Sequence, residues 1–116
     1  MKTIHTYNQE ANGLNYSITS GDFVTVSLPE NPSTGYHWVD ASPFQTSADK
    51  SEIIVGILKL LGASYTPSQS NLMGKGGIKV LAYGSWSAGM GEVKINKVGP
   101  DGEVVDTIII SFMLTS

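Results

Sequence analysis

The residues best placed for chemistry are two short hydroxyl side chains, Ser33 and Thr34, in a turn that the sequence makes stiff. Pro32 before them fixes φ at about −65° and offers no N–H, and Gly35 after them can adopt a positive φ. A stiff turn with short hydroxyl groups at its tip is suited to insertion into a partner's cleft. The alternative is an ordinary hairpin turn, which the local sequence alone favours.

A second candidate is the stretch Gly74-Lys75-Gly76-Gly77, which could be taken for a phosphate-binding loop. A Walker loop needs a glycine five residues before its Gly-Lys pair, and a serine or threonine after the lysine. Gln69 and Gly76 occupy those positions, so the sequence argues against nucleotide binding. Two interpretations remain: a flexible turn, or an exposed backbone segment that pairs with another chain, since glycines permit close approach.

Conventional catalytic and metal-binding groups are sparse. The chain has no cysteine and two histidines, His5 and His37, which lack the regular spacing of metal ligands. No Gly-x-Ser-x-Gly elbow is present, so a hydrolase is the least favoured function. The acidic residues near predicted turns are expected to be solvated loop charges: Asp22, Glu30, Asp40, Asp101, Glu103 and Asp106. The sequence therefore predicts no enzyme activity, no metal and no cofactor.

The composition limits the classes of partner and the cellular compartment that we expect for this chain. The net charge of −3, with lysine supplying all seven basic residues, argues against nucleic acid as a partner. No run approaches the roughly 18 apolar residues of a membrane helix, so no membrane partner is expected. The first residues lack the apolar run of a signal peptide, which favours a cytoplasmic location. A processed lysosomal or secreted chain would have the same appearance.

Alternation of apolar and polar residues predicts strands throughout the chain. In 22–28, for example, Val24, Val26 and Leu28 share one face. The predicted strands are 22–28, 36–41, 52–61, 78–86, 92–97 and 104–114, and 62–77 is predicted to be a long loop. The apolar residues of 52–61 also fit one face of a helix, but its β-branched start and Gly56 favour a strand. Turn signals at intervals of roughly ten residues indicate an all-β, antiparallel sandwich of the immunoglobulin-like class, with Trp38 as its buried tryptophan. A chain of 116 residues is expected to form a single domain, 1–116.

Aromatic residues offer an alternative binding function. Tyr83 and Trp86 are more typical of the core or edge of a sheet than of a ligand platform. Several exposed aromatic residues would favour a carbohydrate-binding or adhesion module, and this function remains an alternative.

Three separated segments resemble the chagasin family, small inhibitors of papain-like cysteine proteases. Residues 31–36, followed by Trp38, resemble the family's Asn-Pro-Thr-Thr-Gly-Tyr loop, and 65–77 resembles the region that ends in its Gly-x-Gly-Gly loop. The third segment departs from the family. Where the family carries Arg-Pro-Trp or Arg-Pro-Phe, this chain has Lys97-Val98-Gly99-Pro100, which keeps a positive charge but lacks the aromatic residue.

The resemblance implies a monomeric immunoglobulin-like sandwich that occludes the active-site cleft of papain-like, cathepsin L-like proteases reversibly with three adjacent loops. Ser33 and Thr34 would lie over the catalytic cysteine and histidine, 72–77 would pair along the cleft as an added strand, and Lys97 would contribute a charge near the rim. The implied protease-binding residues are Asn31, Pro32, Ser33, Thr34, Gly35, Tyr36, Leu72, Met73, Gly74, Lys75, Gly76, Gly77, Lys97, Val98, Gly99 and Pro100.

Overall fold

The structure is a computed structural model that describes residues 2–42, 58–67, 76–86 and 88–116. These ranges contain eight strands: β1 (Ile4–Tyr7), β2 (Asn15–Thr19), β3 (Phe23–Glu30), β4 (His37–Asp40), β5 (Leu58–Pro67), β6 (Gly77–Ser85), β7 (Gly89–Val98) and β8 (Val104–Thr115). Short 3-10 turns, Gln9–Ala11 and Pro32–Thr34, follow β1 and β3. Within these ranges no helix is long and apolar enough to cross a membrane.

The strands form two four-stranded sheets, in the orders β1-β3-β6-β5 and β2-β8-β7-β4. The predicted all-β sandwich is confirmed. One detail differs from the sequence prediction, because each sheet is mixed: β1 runs parallel to β3, and β2 runs parallel to β8. The remaining neighbours pair antiparallel. The consecutive strands β1 and β2 lie in different sheets, where each joins a neighbour that runs in its own direction.

The core lies between the sheets and follows the alternation seen in the sequence. In β3 the side chains of Val24, Val26 and Leu28 are completely buried. Burial of an aliphatic side chain of this size contributes about 1.5–3 kcal/mol. The other residues that form the core are Ala11, Ile18, Trp38, Leu58, Leu81, Tyr83, Val93, Ile95, Ile108, Ile110, Phe112 and Leu114.

Hydrogen bonds from the indole of Trp38 and the hydroxyl of Tyr83 help to fasten β4 to the opposite sheet. Trp38 is 1% exposed, which confirms the predicted burial of this tryptophan. Its indole Nε1 donates to the backbone oxygen of Pro29 at 2.8 Å. The hydroxyl of Tyr83 donates to Oδ1 of Asp40 at 2.7 Å. Burial, and next the bond to Asp40, raise the pKa of Tyr83, so its hydroxyl keeps the proton that it donates. Asp40 is therefore an inter-sheet acceptor and not the solvated loop charge that the sequence predicted.

The strands differ from the sequence prediction at two places. The predicted strands begin at residue 22, so β1 and β2 are not among them; Tyr16 and Ile18 are the only apolar side chains of β2, which leaves it a weak alternation signal. The strand β5 extends to Pro67, through residues that the sequence assigned to a loop. Of the predicted strand 52–61, residues 58–61 belong to β5, and 52–57 lie outside the described residues.

Candidate functional site

The segment 31–36, here called the opening loop, connects β3 to β4 and is held by its own hydrogen bonds. Oδ1 of Asn31 accepts the backbone N–H of Ser33 at 3.2 Å and the hydroxyl of Ser33 at 2.7 Å. The backbone oxygen of Asn31 accepts the N–H of Thr34 at 3.0 Å and its hydroxyl at 2.7 Å. Pro32, Ser33 and Thr34 remain exposed. The tip is therefore both ordered and accessible before any partner binds.

Gly35 ends the turn in a left-handed conformation. Its φ is +81°, as the sequence predicted, and its N–H donates to the backbone oxygen of Pro32 at 3.0 Å. Residues other than glycine pay a steric cost at this φ. The glycine therefore fixes the point where the chain turns back into β4.

The neck of the opening loop is closed by Glu30 and Trp38. Oε1 of Glu30 accepts the backbone N–H of Trp38 at 2.7 Å, and the side chain of Glu30 is buried. The sequence prediction that Glu30 is a solvated loop charge is wrong. Its position gave a usable signal, because Glu30 continues the alternation of the buried Val24, Val26 and Leu28.

The glycine segment, residues 72–77, reaches the described part of the structure at Gly76 and Gly77. A β-carbon on Gly76 would lie 2.6 Å from the backbone oxygen of Glu30 and 2.9 Å from Cβ of Asn31. Gly77 pairs with Glu30 on one side and Pro67 on the other. At Gly76 the chain therefore packs directly against the base of the opening loop. The other predicted members of this segment, Leu72, Met73, Gly74 and Lys75, lie outside the described residues.

The β7–β8 turn, here residues 97–103, lies on another side of the opening loop. The N–H of Gly102 donates to the backbone oxygen of Gly99 at 3.0 Å, which confirms the predicted β-turn. A β-carbon on Gly35 would lie 3.1 Å from Cβ of Pro100. Gly99 is buried, and a β-carbon there would collide with the carboxylate of Glu103. The departure from the family's Arg-Pro-aromatic motif thus coincides with a turn that has no room for a side chain at Gly99.

Lys97 lies beneath the opening loop. It pairs with Trp38 across β4 and β7, and its Nζ is 5.5 Å from the ring centroid of Trp38 and 5.7 Å from that of Tyr36. These distances fit cation–π contacts. The side chain is partly buried. Its expected place near the rim of a protease interface stays a prediction. A groove also forms here between the opening loop and the first residues of β6; its lining residues are Pro29, Glu30, Asn31, Thr34, Tyr36, Gly76, Gly77 and Lys97.

Among the described residues, the two histidines and their carboxylate neighbours lie in separate places. Nε2 of His5 contacts Oδ2 of Asp22 at 2.9 Å, whereas Nδ1 of His37 lies 3.9 Å from Oε2 of Glu30. No group of three or more histidine, aspartate or glutamate residues that could hold a metal occurs in the described part of the chain. Of the two aromatic residues considered for a carbohydrate platform, Tyr83 is buried and Trp86 is 58% exposed.

The structure thus brings three segments together at one end of the sandwich: the start of β6, the opening loop and the β7–β8 turn. The direct contacts run from Gly76 to Asn31 and from Gly35 to Pro100. Residues 17–115 match the family described as chagasin family peptidase inhibitor I42. The chain therefore belongs to the chagasin family of peptidase inhibitors, and it is an inhibitor and not an enzyme.

Individual relatives agree with this assignment. Chagasin from Trypanosoma cruzi is 27% identical over 96 residues, which cover 83% of this chain and 82% of that protein. The cysteine protease inhibitor EhICP2 from Entamoeba histolytica has a TM-score of 0.74 at 18% identity, covering 97% of this chain and 96% of its own. PbICP-C, solved in complex with falcipain-2, has a TM-score of 0.56 at 14% identity, covering 99% of this chain and 92% of its own. These structural similarities support the sandwich fold.

Proposed function

We propose that this chain is a reversible, competitive inhibitor of papain-like cysteine proteases, including cathepsin L-like enzymes, and that it acts as a monomer. The observation that carries the proposal is the adjacency of the opening loop, Gly76 and Pro100 at one end of the sandwich. EhICP2, which shares the fold, is a cysteine protease inhibitor, and PbICP-C was solved with falcipain-2, which supports a protease as the partner.

The opening loop would occupy the centre of the protease cleft. Ser33 and Thr34 are exposed at its tip, and their hydroxyl groups are short enough to approach a catalytic cysteine and histidine. Their hydrogen bonds to Asn31 hold the tip in one shape. Because the loop is already ordered, binding would cost less conformational entropy than the ordering of a flexible segment. The same rigidity would keep the backbone from adopting the extended form of a cleavable substrate.

The two flanking segments would contact the walls of the cleft. The glycine segment, from Leu72 as far as Gly76, would pair along one wall through its backbone, since glycines let another chain approach closely. Gly77 would instead hold the segment to the sheet, because it already pairs with Glu30 and Pro67. On the other wall the β7–β8 turn would present Pro100 and the backbone around Val98 and Gly99. This turn lacks the aromatic residue that interfaces favour as an energetic anchor. We therefore assign most of the binding energy to the opening loop and the glycine segment.

An inhibition titration tests the proposal. The chain is added to active papain, and to a cathepsin L-like protease, at increasing substrate concentrations, and the mixture is followed by gel electrophoresis. We expect competitive inhibition with a constant in the nanomolar range, about −12 kcal/mol, as standard-size interfaces of about 1,600 Å² can provide. We also expect the inhibitor to stay intact. No inhibition at micromolar concentrations, or rapid cleavage in the opening loop, would contradict the proposal.

A further inference from the structure

We infer that Glu30 is a positioning residue of the inhibitory end, which holds the opening loop in its binding shape without itself contacting the protease. This inference rests on the proposed function. Glu30 is the last residue of β3 and is 7% exposed, and its Oε1 accepts the backbone N–H of Trp38 at 2.7 Å. The whole opening loop lies between these two residues. The hydrogen bond therefore joins the two ends of the loop.

The bond provides an acceptor for a backbone N–H of strand β4. Among the strands that the structure describes, β4 lies at the edge of its sheet beside β7. The backbone N–H of Trp38 has a carboxylate as its partner in place of a neighbouring strand. Hydrogen bonds to an ionised acceptor are shorter and stronger than bonds between neutral groups. A short edge strand of four residues is thus anchored where it leaves the loop.

Basic groups surround the buried carboxylate. Nζ of Lys79 lies 4.0 Å from Oε1, and Nδ1 of His37 lies 3.9 Å from Oε2. Lys97 lines the same groove. A buried carboxylate is costly unless hydrogen bonds and opposite charges compensate for the lost hydration. The surroundings therefore suit a carboxylate that stays fixed at this site.

The backbone of Glu30 also sets the distance to the glycine segment. Its carbonyl oxygen would lie 2.6 Å from a β-carbon on Gly76, and Glu30 pairs with Gly77 in the sheet. One residue thus contacts both the neck of the opening loop and the start of β6. Displacement of Glu30 would shift two of the three segments relative to each other.

The test measures association and dissociation rates with papain, together with thermal unfolding, for three variants. Glu30→Ala removes the acceptor, Glu30→Asp keeps the charge but shortens the side chain by one methylene, and Glu30→Gln keeps an oxygen at the same distance. If the bond positions the loop, the binding-competent fraction falls when the acceptor is lost. We expect Glu30→Ala to slow association about tenfold with little change in dissociation, and Glu30→Asp to slow it about fivefold. Glu30→Gln should stay within about threefold of the wild type, because the amide oxygen can still accept the Trp38 N–H.

Asp22 supplies a matched control at the opposite end of the sandwich. It is also a buried carboxylate, 5% exposed, and it accepts the backbone N–H groups of Thr3 and Thr19. We expect Asp22→Asn to lower the thermal midpoint without slowing association. Equal slowing by Asp22→Asn and Glu30→Ala would overturn the inference, because general destabilisation would then explain both variants.

Three further outcomes are decisive. A folded Glu30→Ala variant that associates as fast as the wild type would overturn the inference while the proposed function stands. If Glu30→Ala does not fold, normal association by Glu30→Asp together with slow association by Glu30→Gln would overturn it, since charge and not the hydrogen bond would then matter. A wild-type chain that fails to inhibit papain would instead overturn the proposed function, and this inference with it.

Discussion

Gly35 of the opening loop lies against Pro100 of the β7–β8 turn, so closely that a β-carbon on Gly35 would be 3.1 Å from both Cβ and Cγ of the proline ring. The contact joins two segments that are far apart in the sequence. Since Gly35 also has a φ of +81°, two independent constraints favour glycine there. The opening loop is thus supported by its neighbour as well as by its own hydrogen bonds.

Replacement of Gly35 by alanine should weaken inhibition more than it weakens folding. The left-handed φ costs a non-glycine residue about 1–3 kcal/mol, and the new methyl group would push the loop away from Pro100. Gly13 is a matched control, because its φ is also +81° and a β-carbon there would meet nothing within 4 Å. Gly13→Ala should lower the thermal midpoint comparably and leave the inhibition constant unchanged. Equal inhibition constants for the two variants would contradict the role of the Gly35–Pro100 contact.

Introduction of a charge at Ser33 should abolish tight binding. The side chain of Ser33 is exposed in the free chain, so Ser33→Glu should fold with little loss of stability. In the complex the carboxylate would be buried without a partner, and we expect the inhibition constant to rise about 100-fold or more. Ser17→Glu, at an exposed position of β2, is the control and should inhibit normally. If Ser33→Glu inhibits as well as Ser17→Glu, the opening loop is not the inserted tip.

Lys97 should contribute to stability through the rings of Tyr36 and Trp38. We expect Lys97→Ala to lower the free energy of unfolding by about 1 kcal/mol, the magnitude of a partly desolvated cation–π contact. Urea denaturation measures this loss, and Lys59→Ala, at an exposed position of β5, is the control. The binding free energy calculated from the inhibition constant should change by at most about 1 kcal/mol. A loss of several kcal/mol in binding with unchanged stability would show that the ammonium group contacts the protease.

Acid should destabilise the end of the sandwich that contains Asp22. The hydrogen bond from His5, followed by the backbone bond from Thr3, lowers the pKa of Asp22 below its ordinary value. A carboxyl with a lower pKa in the folded state adds stability above its unfolded pKa, and this contribution is lost as the pH falls through the folded pKa. The thermal midpoints of the wild type and Asp22→Asn should therefore differ at pH 7 and converge as the pH falls below about 4, the ordinary pKa of an aspartate. A constant difference across this range would contradict the assignment.

Local features of the site could be predicted from the sequence. The turn at Pro32 to Gly35, the positive φ of Gly35 and the burial of Trp38 each depend on the stereochemistry or size of single residues. The core face of β3 followed from strict alternation. The same alternation extends to Glu30 and indicates that its side chain is buried. The prediction that Glu30 is a solvated loop charge relied only on its position near a turn, and it was wrong.

Relations between distant segments could not be predicted in the same way. Alternation shows which face of a strand is buried, but it does not show the direction of the neighbouring strand, so the parallel pairs β1–β3 and β2–β8 were not foreseen. The contacts of Gly35 with Pro100 and of Gly76 with Asn31 depend on the folded arrangement of both sheets. The partly buried position of Lys97 likewise depends on the pairing of β4 with β7.

Amide hydrogen exchange of the chain, measured with and without papain, locates the protease-binding surface without a mutation. We predict added protection in the complex at residues 31–36, 76–77 and 99–103, which form one end of the sandwich. The opposite end, including Asp22 and Trp86, should exchange as it does in the free chain. Protection centred on that opposite end, or unchanged exchange throughout residues 31–36 in a saturated mixture, would show that the opening loop does not enter the protease cleft.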